Sequence, residues 1–104
     1  MELKKSVKLA GLKPEMIPAL MVVNEVYAKY NYDCVVTSCM DGKHSKGSRH
    51  YLGMALDFRM NTVHEIDQAK ITEVVKERLT DEYYVLLEGV GTPNAHLHVQ
   101  FSPV

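Results

Sequence analysis

Two short segments of this chain alternate between apolar and polar residues with a period of two. In 54–59, Met54, Leu56 and Phe58 point one way while Ala55, Asp57 and Arg59 point the other. In 96–101, Leu97, Val99 and Phe101 oppose His96, His98 and Gln100. Two such segments require a sheet with one buried face and one open face, and their polar groups all end on the open one. Other segments fit around that sheet. Pro14 and Glu15 open a helix with the apolar stripe Met16, Leu20, Val23, Tyr27 and Tyr30, and proline is tolerated in a first turn. The segment 32–38 carries Val35, Val36 and Thr37 in succession and reads as a strand. Thr62-Val63-His64-Glu65 has the form of a capping box and opens a second helix running to about Leu79. A further strand over 83–90 is joined to 96–101 by the turn-rich Gly89-Val90-Gly91-Thr92-Pro93-Asn94. The residues ahead of Pro14 read as irregular. The expected fold is α+β, a small antiparallel sheet with helices packed on one face, in a single domain over 1–104.

With 104 residues and 46% apolar content, the chain can build a core that folds alone but has little room for a second module. A net charge of -1 gives no support for a nucleic-acid partner. Lys8, Lys13 and Glu15 interrupt the apolar residues near the start, so neither a signal peptide nor a membrane span is expected. Synthesis in the cytoplasm follows, with any export by another route. Cys34 and Cys39 are five apart in or beside a strand. That odd separation sends them to opposite faces and disfavours a mutual disulfide, so both read as buried small residues.

The polar face carries groups that suit a metal. His-x-His in a strand puts two imidazoles on one side, and Asp57 occupies the matching side of its own strand. Neutral imidazole is a good zinc ligand, and a single carboxylate ligand leaves the centre positively charged, which acidifies a bound water and polarises a carbonyl. A separate carboxylate is then needed to take the water proton and pass it to the leaving nitrogen. His50, Asp57 and His98 can supply the first set and Glu88 the second. Simpler roles are open to each: Asp57 as a strand-end cap, Glu88 as a charge on a hairpin edge, and His44 and His64 as ordinary surface residues. Lys43, Lys46 and Arg49 form a cationic stretch with no acid between Gly42 and Leu56, either a solvated loop or a rim that attracts a substrate carboxylate. Gly42 and Gly47 do not make a phosphate loop, because Ser48 stands where the lysine of that motif belongs.

The run Ser48-x-His50-x-x-Gly53-x-Ala55-x-Asp57 resembles the signature of the zinc D-alanyl-D-alanine carboxypeptidase family. That family includes L-alanyl-D-glutamate endopeptidases and shares a metal-site plan with the hedgehog signalling domain. The tract from Leu87-Glu88-Gly89 to His96-Leu97-His98 is similar to the family's strand, catalytic Glu, turn and closing strand, and the likeness covers roughly Cys34 to Phe101. It implies that His50, Asp57 and His98 bind Zn2+, that Glu88 is general base and acid, and that His96 assists beside the metal. The implied substrate is a peptidoglycan stem peptide, with Lys46, Ser48, Arg49 and Arg59 as candidate contacts. The chain also departs from the pattern. Many relatives carry an Arg just after the first strand, where this chain reads Ser38-Cys39-Met40-Asp41; some place the catalytic Glu three residues before the last His, where it has Ala95.

The expected function is thus a zinc peptidase cleaving an amide bond of stem peptides, of D,D-carboxypeptidase or L,D-endopeptidase type. Without a signal peptide, it is expected to reach the cell wall by phage-type release. The alternatives are a non-catalytic zinc-binding module, to which Glu88 would be superfluous, and a phage structural protein that keeps the fold without turnover.

Overall fold

The computed structural model describes residues 1–39 and 49–103. Lys46 and Ser48, and with them Gly42, Lys43, His44 and Gly47, lie outside the described residues.

Helix α1 spans Met16–Lys29 and buries Met16, Ala19, Leu20, Val23, Val26 and Tyr27, a face spaced by threes and fours. Pro18 is harmless in the first turn, where the missing N–H has no helical partner. The helix stops because Asn31 takes a left-handed conformation with φ 63°. Tyr32 N–H then bonds Tyr27 O and Asn31 N–H bonds Ala28 O, which satisfies carbonyls the helix leaves open. Tyr32 is used in that turn, so the following strand, β2, begins only at Val35 and ends at Ser38.

Helix α2 spans Glu65–Arg78, and its cap is His64 rather than Thr62. His64 has the extended conformation a cap needs (φ -57°, ψ 139°), and its Nδ1 accepts from Ile66 N–H at 3.3 Å. Glu65 and Asp67 lie in the first turn and Lys76 and Arg78 in the last, charges that complement the helix dipole. Gln68, buried on the inner face, donates to the carbonyls of Met60 and Val63 and fixes the helix to its entry loop.

Among the described residues the sheet has five strands, not four: β1 (Glu2–Leu3), β2, β3 (Ala55–Arg59), β4 (Tyr83–Glu88) and β5 (His96–Phe101), in the order β1-β2-β3-β5-β4. It is mixed, which corrects the expectation of an antiparallel sheet: β1 runs parallel to β2, and every other pair is antiparallel. Strand β1 leaves no mark in the sequence because both of its side chains are exposed. It is held by backbone bonds alone, Glu2 N–H to Cys34 O and Lys4 N–H to Val36 O, each 2.8 Å. Strand β4 ends at Glu88, two residues short of expectation, because Gly89 turns away with φ 68°.

Leu56, Phe58, Leu97 and Val99 are fully buried and join the inner residues of both helices in one apolar cluster. Each such side chain contributes about 1.5–3 kcal/mol by leaving water. Tyr27 hydroxyl donates to Arg59 O at 2.8 Å, tying α1 to the end of β3. The two cysteines share this cluster, against the expectation that they face opposite ways. A bulge in β2 between Val36 and Ser38 inserts one residue and resets the alternation, so Cys39 returns to the side of Cys34. Neither is in a disulfide, and burial pushes Cys34 up to about 12. Among the described residues no helix is long and apolar enough to cross a membrane.

Candidate metal centre

The open face of the sheet is organised by cross-strand register. Asp57 on β3 stands directly opposite His98 on β5, and the β2 bulge sets Ser38 opposite Asp57 on the other side. One step along, Arg59, His96 and Glu88 form a parallel row across β3, β5 and β4.

His50 reaches this face from a short 3-10 helix, Arg49–Leu52, packed against β3 and β5. Gly53 makes its position possible. It turns the chain into β3 with φ 72°, and a Cβ there would lie 2.1 Å from Gly11 O. Only glycine fits that approach. Ala55 is fully buried, and its small side chain suits a place where the 3-10 helix packs on β3.

Three ligand atoms converge. His50 Nε2 is 3.2 Å from Asp57 Oδ1, His98 Nδ1 is 3.0 Å from the same oxygen, and the two ring nitrogens are 3.2 Å apart. Ligand atoms placed tetrahedrally at zinc bond lengths of ~2.0–2.1 Å would be separated by about 3.3–3.4 Å. The observed triangle is within a few tenths of an ångström of that.

Proton positions sharpen the fit. His50 Nδ1 donates to the Cys39 carbonyl at 2.7 Å, and His98 Nε2 donates to Gln100 Oε1 at 2.7 Å. With those outer nitrogens protonated, the neutral form of each ring turns a lone pair inward, toward a carboxylate oxygen that also carries only lone pairs. Such an arrangement can accept a cation at its centre, and outer hydrogen bonds of this kind orient metal-binding histidines. The His50, Asp57 and His98 group can therefore hold a metal ion. His50 is buried, while Asp57 and His98 are partly open to solvent, leaving one side of the centre approachable.

The electrostatics agree. Burial alone would raise the Asp57 pKa, but hydrogen bonds from His50 and His98, with the charges of His50 and His96, hold it well below the usual carboxylate range. Burial likewise opposes charge on His98. The bond to Asp57, then that to Gln100 and the charges of Asp57 and Glu88, overcome it and raise its pKa. A proton is the cation such a site attracts first.

The other candidate residues are arranged differently. Glu88 is not in the triangle. Its Oε1 pairs with His96 Nε2 at 3.2 Å, and its side chain is 46% exposed. His96 Nδ1 also faces an acceptor, Asn94 O at 2.8 Å, so the ring makes both bonds as a donor only as an imidazolium. Arg59 lies on the Glu88 and His96 row. Arg49 donates from its guanidinium to Met54 Sδ at 3.8 Å. Sequence reasoning did not anticipate Cys39 O or Gln100 as partners of the two imidazoles. Gln100 shares the His96 and His98 face by alternation, which was the available signal; a backbone carbonyl gives none.

No protein-family model matches the chain, and no curated protein matches it. The chemistry of the centre rests on its own geometry.

Proposed function

We propose that this chain is a zinc-dependent peptidase that hydrolyses an amide bond in peptidoglycan stem peptides. The observation that carries the proposal is the convergence of His50 Nε2, Asp57 Oδ1 and His98 Nδ1, with the outer nitrogen of each ring held against an oxygen acceptor. Two imidazoles and one carboxylate are the ligand set of a hydrolytic zinc rather than of magnesium or calcium, which prefer oxygen. When bound, zinc supplies a lowered pKa for water and polarisation of the substrate carbonyl.

The protein's own groups supply the rest. Glu88, partly exposed and one row from His98, takes the proton of the attacking water and returns it to the leaving nitrogen. To do so it exchanges His96 for that water. His96 in its imidazolium form, held at Nδ1 by Asn94 O, then faces the negative charge developing on the carbonyl oxygen. The resemblance of the Ser48–Asp57 run supports the stem-peptide substrate.

One observation favours a second reading, a zinc-binding module without turnover: Glu88 is paired with His96 instead of lying in the triad. Incubating zinc-loaded protein with defined muropeptides and weighing the products separates the two. Release of D-alanine or cleavage after L-alanine supports the peptidase and identifies the bond. Fully zinc-loaded protein that leaves every muropeptide intact contradicts it.

A further inference from the structure

A cleft of about 310 Å³ adjoins the metal centre, shares Asp57 with it and is also lined by His96. Its other polar walls include Lys4, Arg59, Asn61 and Asn94. Lys4 arrives there because β1 pairs in parallel with β2, its N–H bonding Val36 O at 2.8 Å. The opposite wall is fixed to the end of β3, with Asn61 Nδ2 donating to Pro93 O at 2.8 Å and Met60 N–H to Ala95 O at 2.9 Å.

The charge in this cleft is unbalanced. Asp57 is its only carboxylate among the described residues, and two histidines already hold it. Among the described residues, neither the Lys4 ammonium nor the Arg59 guanidinium has a carboxylate at ion-pairing distance. Two unspent cations at a cleft wall, one of them able to bind a carboxylate through two parallel N–H bonds, define an anion site. Arg59 follows Asp57 by two residues on the same strand face, about 7 Å along the strand. An extended peptide advances ~3.3–3.6 Å per residue. A carboxylate on Arg59 is therefore within about two residues of whatever group the metal centre holds.

We propose that Lys4 and Arg59 bind a free carboxylate of the substrate peptide located within two residues of the bond to be cut. The identity of the peptide rests on the peptidase reading; the anion site does not. Two sources share this chemistry, a main-chain terminal carboxylate and the branch carboxylate of a γ-linked glutamate.

The test is calorimetric binding to zinc-loaded protein. One probe pair is N-acetyl-L-lysyl-D-alanyl-D-alanine and its C-terminal amide. The other is L-alanyl-γ-D-glutamyl-L-lysine and the same peptide with the glutamate α-carboxyl amidated. In one pair the acid is expected to bind at least tenfold more tightly than its amide, and that pair identifies the source. Arg59→Gln should reduce the preference, Arg59→Lys should retain part of it, and Lys4→Gln with Arg59→Gln should erase it, all at unchanged zinc content. Equal binding of acid and amide in both pairs overturns the proposal. So does a preference that survives in the double variant, since the carboxylate is then held by the metal. Turnover of the same peptides is followed separately by mass. Binding preference without turnover leaves the anion site standing and removes the peptidase; turnover without preference does the reverse.

Discussion

Two groupings of histidine with carboxylate share the open face of one sheet, two residues apart along β5. In the first, His50, Asp57 and His98 are largely enclosed, and each imidazole has its outer nitrogen committed to a carbonyl oxygen. In the second, His96 and Glu88 are partly exposed, and both nitrogens of His96 already face acceptors. Residue type alone does not separate them. What separates them is convergence: in the triad the inner nitrogens of two rings meet one carboxylate oxygen, whereas in the pair the two nitrogens of His96 face two different acceptors. The first grouping can hold a metal ion. The second is a more exposed hydrogen-bonded pair one row away.

The largest expected effect of breaking this contrast is at His98. Removing one of three ligands in His98→Ala should lower zinc affinity by more than ~100-fold, because even outer-shell changes cost about 10–100-fold. Competition against a chromogenic chelator measures it. At Glu88→Gln the contrast predicts the opposite pattern, full zinc content with turnover of muropeptides reduced by roughly 10²–10⁴-fold. Undiminished turnover in that variant would remove Glu88 as the base.

Gly53→Ala acts on the support of the first grouping. A Cβ 2.1 Å from Gly11 O forces the turn apart, and a loss of about 3 kcal/mol in denaturant unfolding is expected. Gln100→Leu deprives His98 of its outer acceptor and should weaken zinc binding by about 10–100-fold with little change in stability.

The smallest effect is in pH. His98 has a raised pKa in the metal-free protein, so zinc has to displace a proton through and above the usual imidazole range near ~6.5. Zinc affinity should rise with pH until the raised value is passed, with about one proton released per zinc on the acid side. Calorimetry in buffers of different ionisation enthalpy counts that proton. In the metal-free protein the same shift stabilises the fold fully below the unfolded value and fades as pH rises through the folded one.

The sheet's two faces were legible from alternation, since Leu56, Phe58, Leu97 and Val99 are buried where the pattern put them and Asp57 and His98 share the other side. Helix α1 was legible for the same reason, with its period read from Met16 to Tyr27. Strand β1 was not, because two exposed residues held only by backbone bonds have no side-chain pattern. The β2 bulge was invisible too, and with it the facing of Cys39; one inserted residue changes register without changing composition. At the site, the ligand types could be read, but the tautomers that make them ligands depend on Cys39 O and Gln100, which only the folded chain brings into reach. The Lys4 wall of the cleft follows from β1 and was hidden with it.

The most direct measurement is zinc stoichiometry of the purified protein combined with X-ray absorption at the zinc edge. The expected result is one zinc per chain, bound by two imidazole nitrogens and carboxylate or water oxygen, with no sulfur ligand from Cys34 or Cys39. Substoichiometric zinc, a sulfur ligand, or an unchanged spectrum in His98→Ala would contradict a metal centre built from His50, Asp57 and His98.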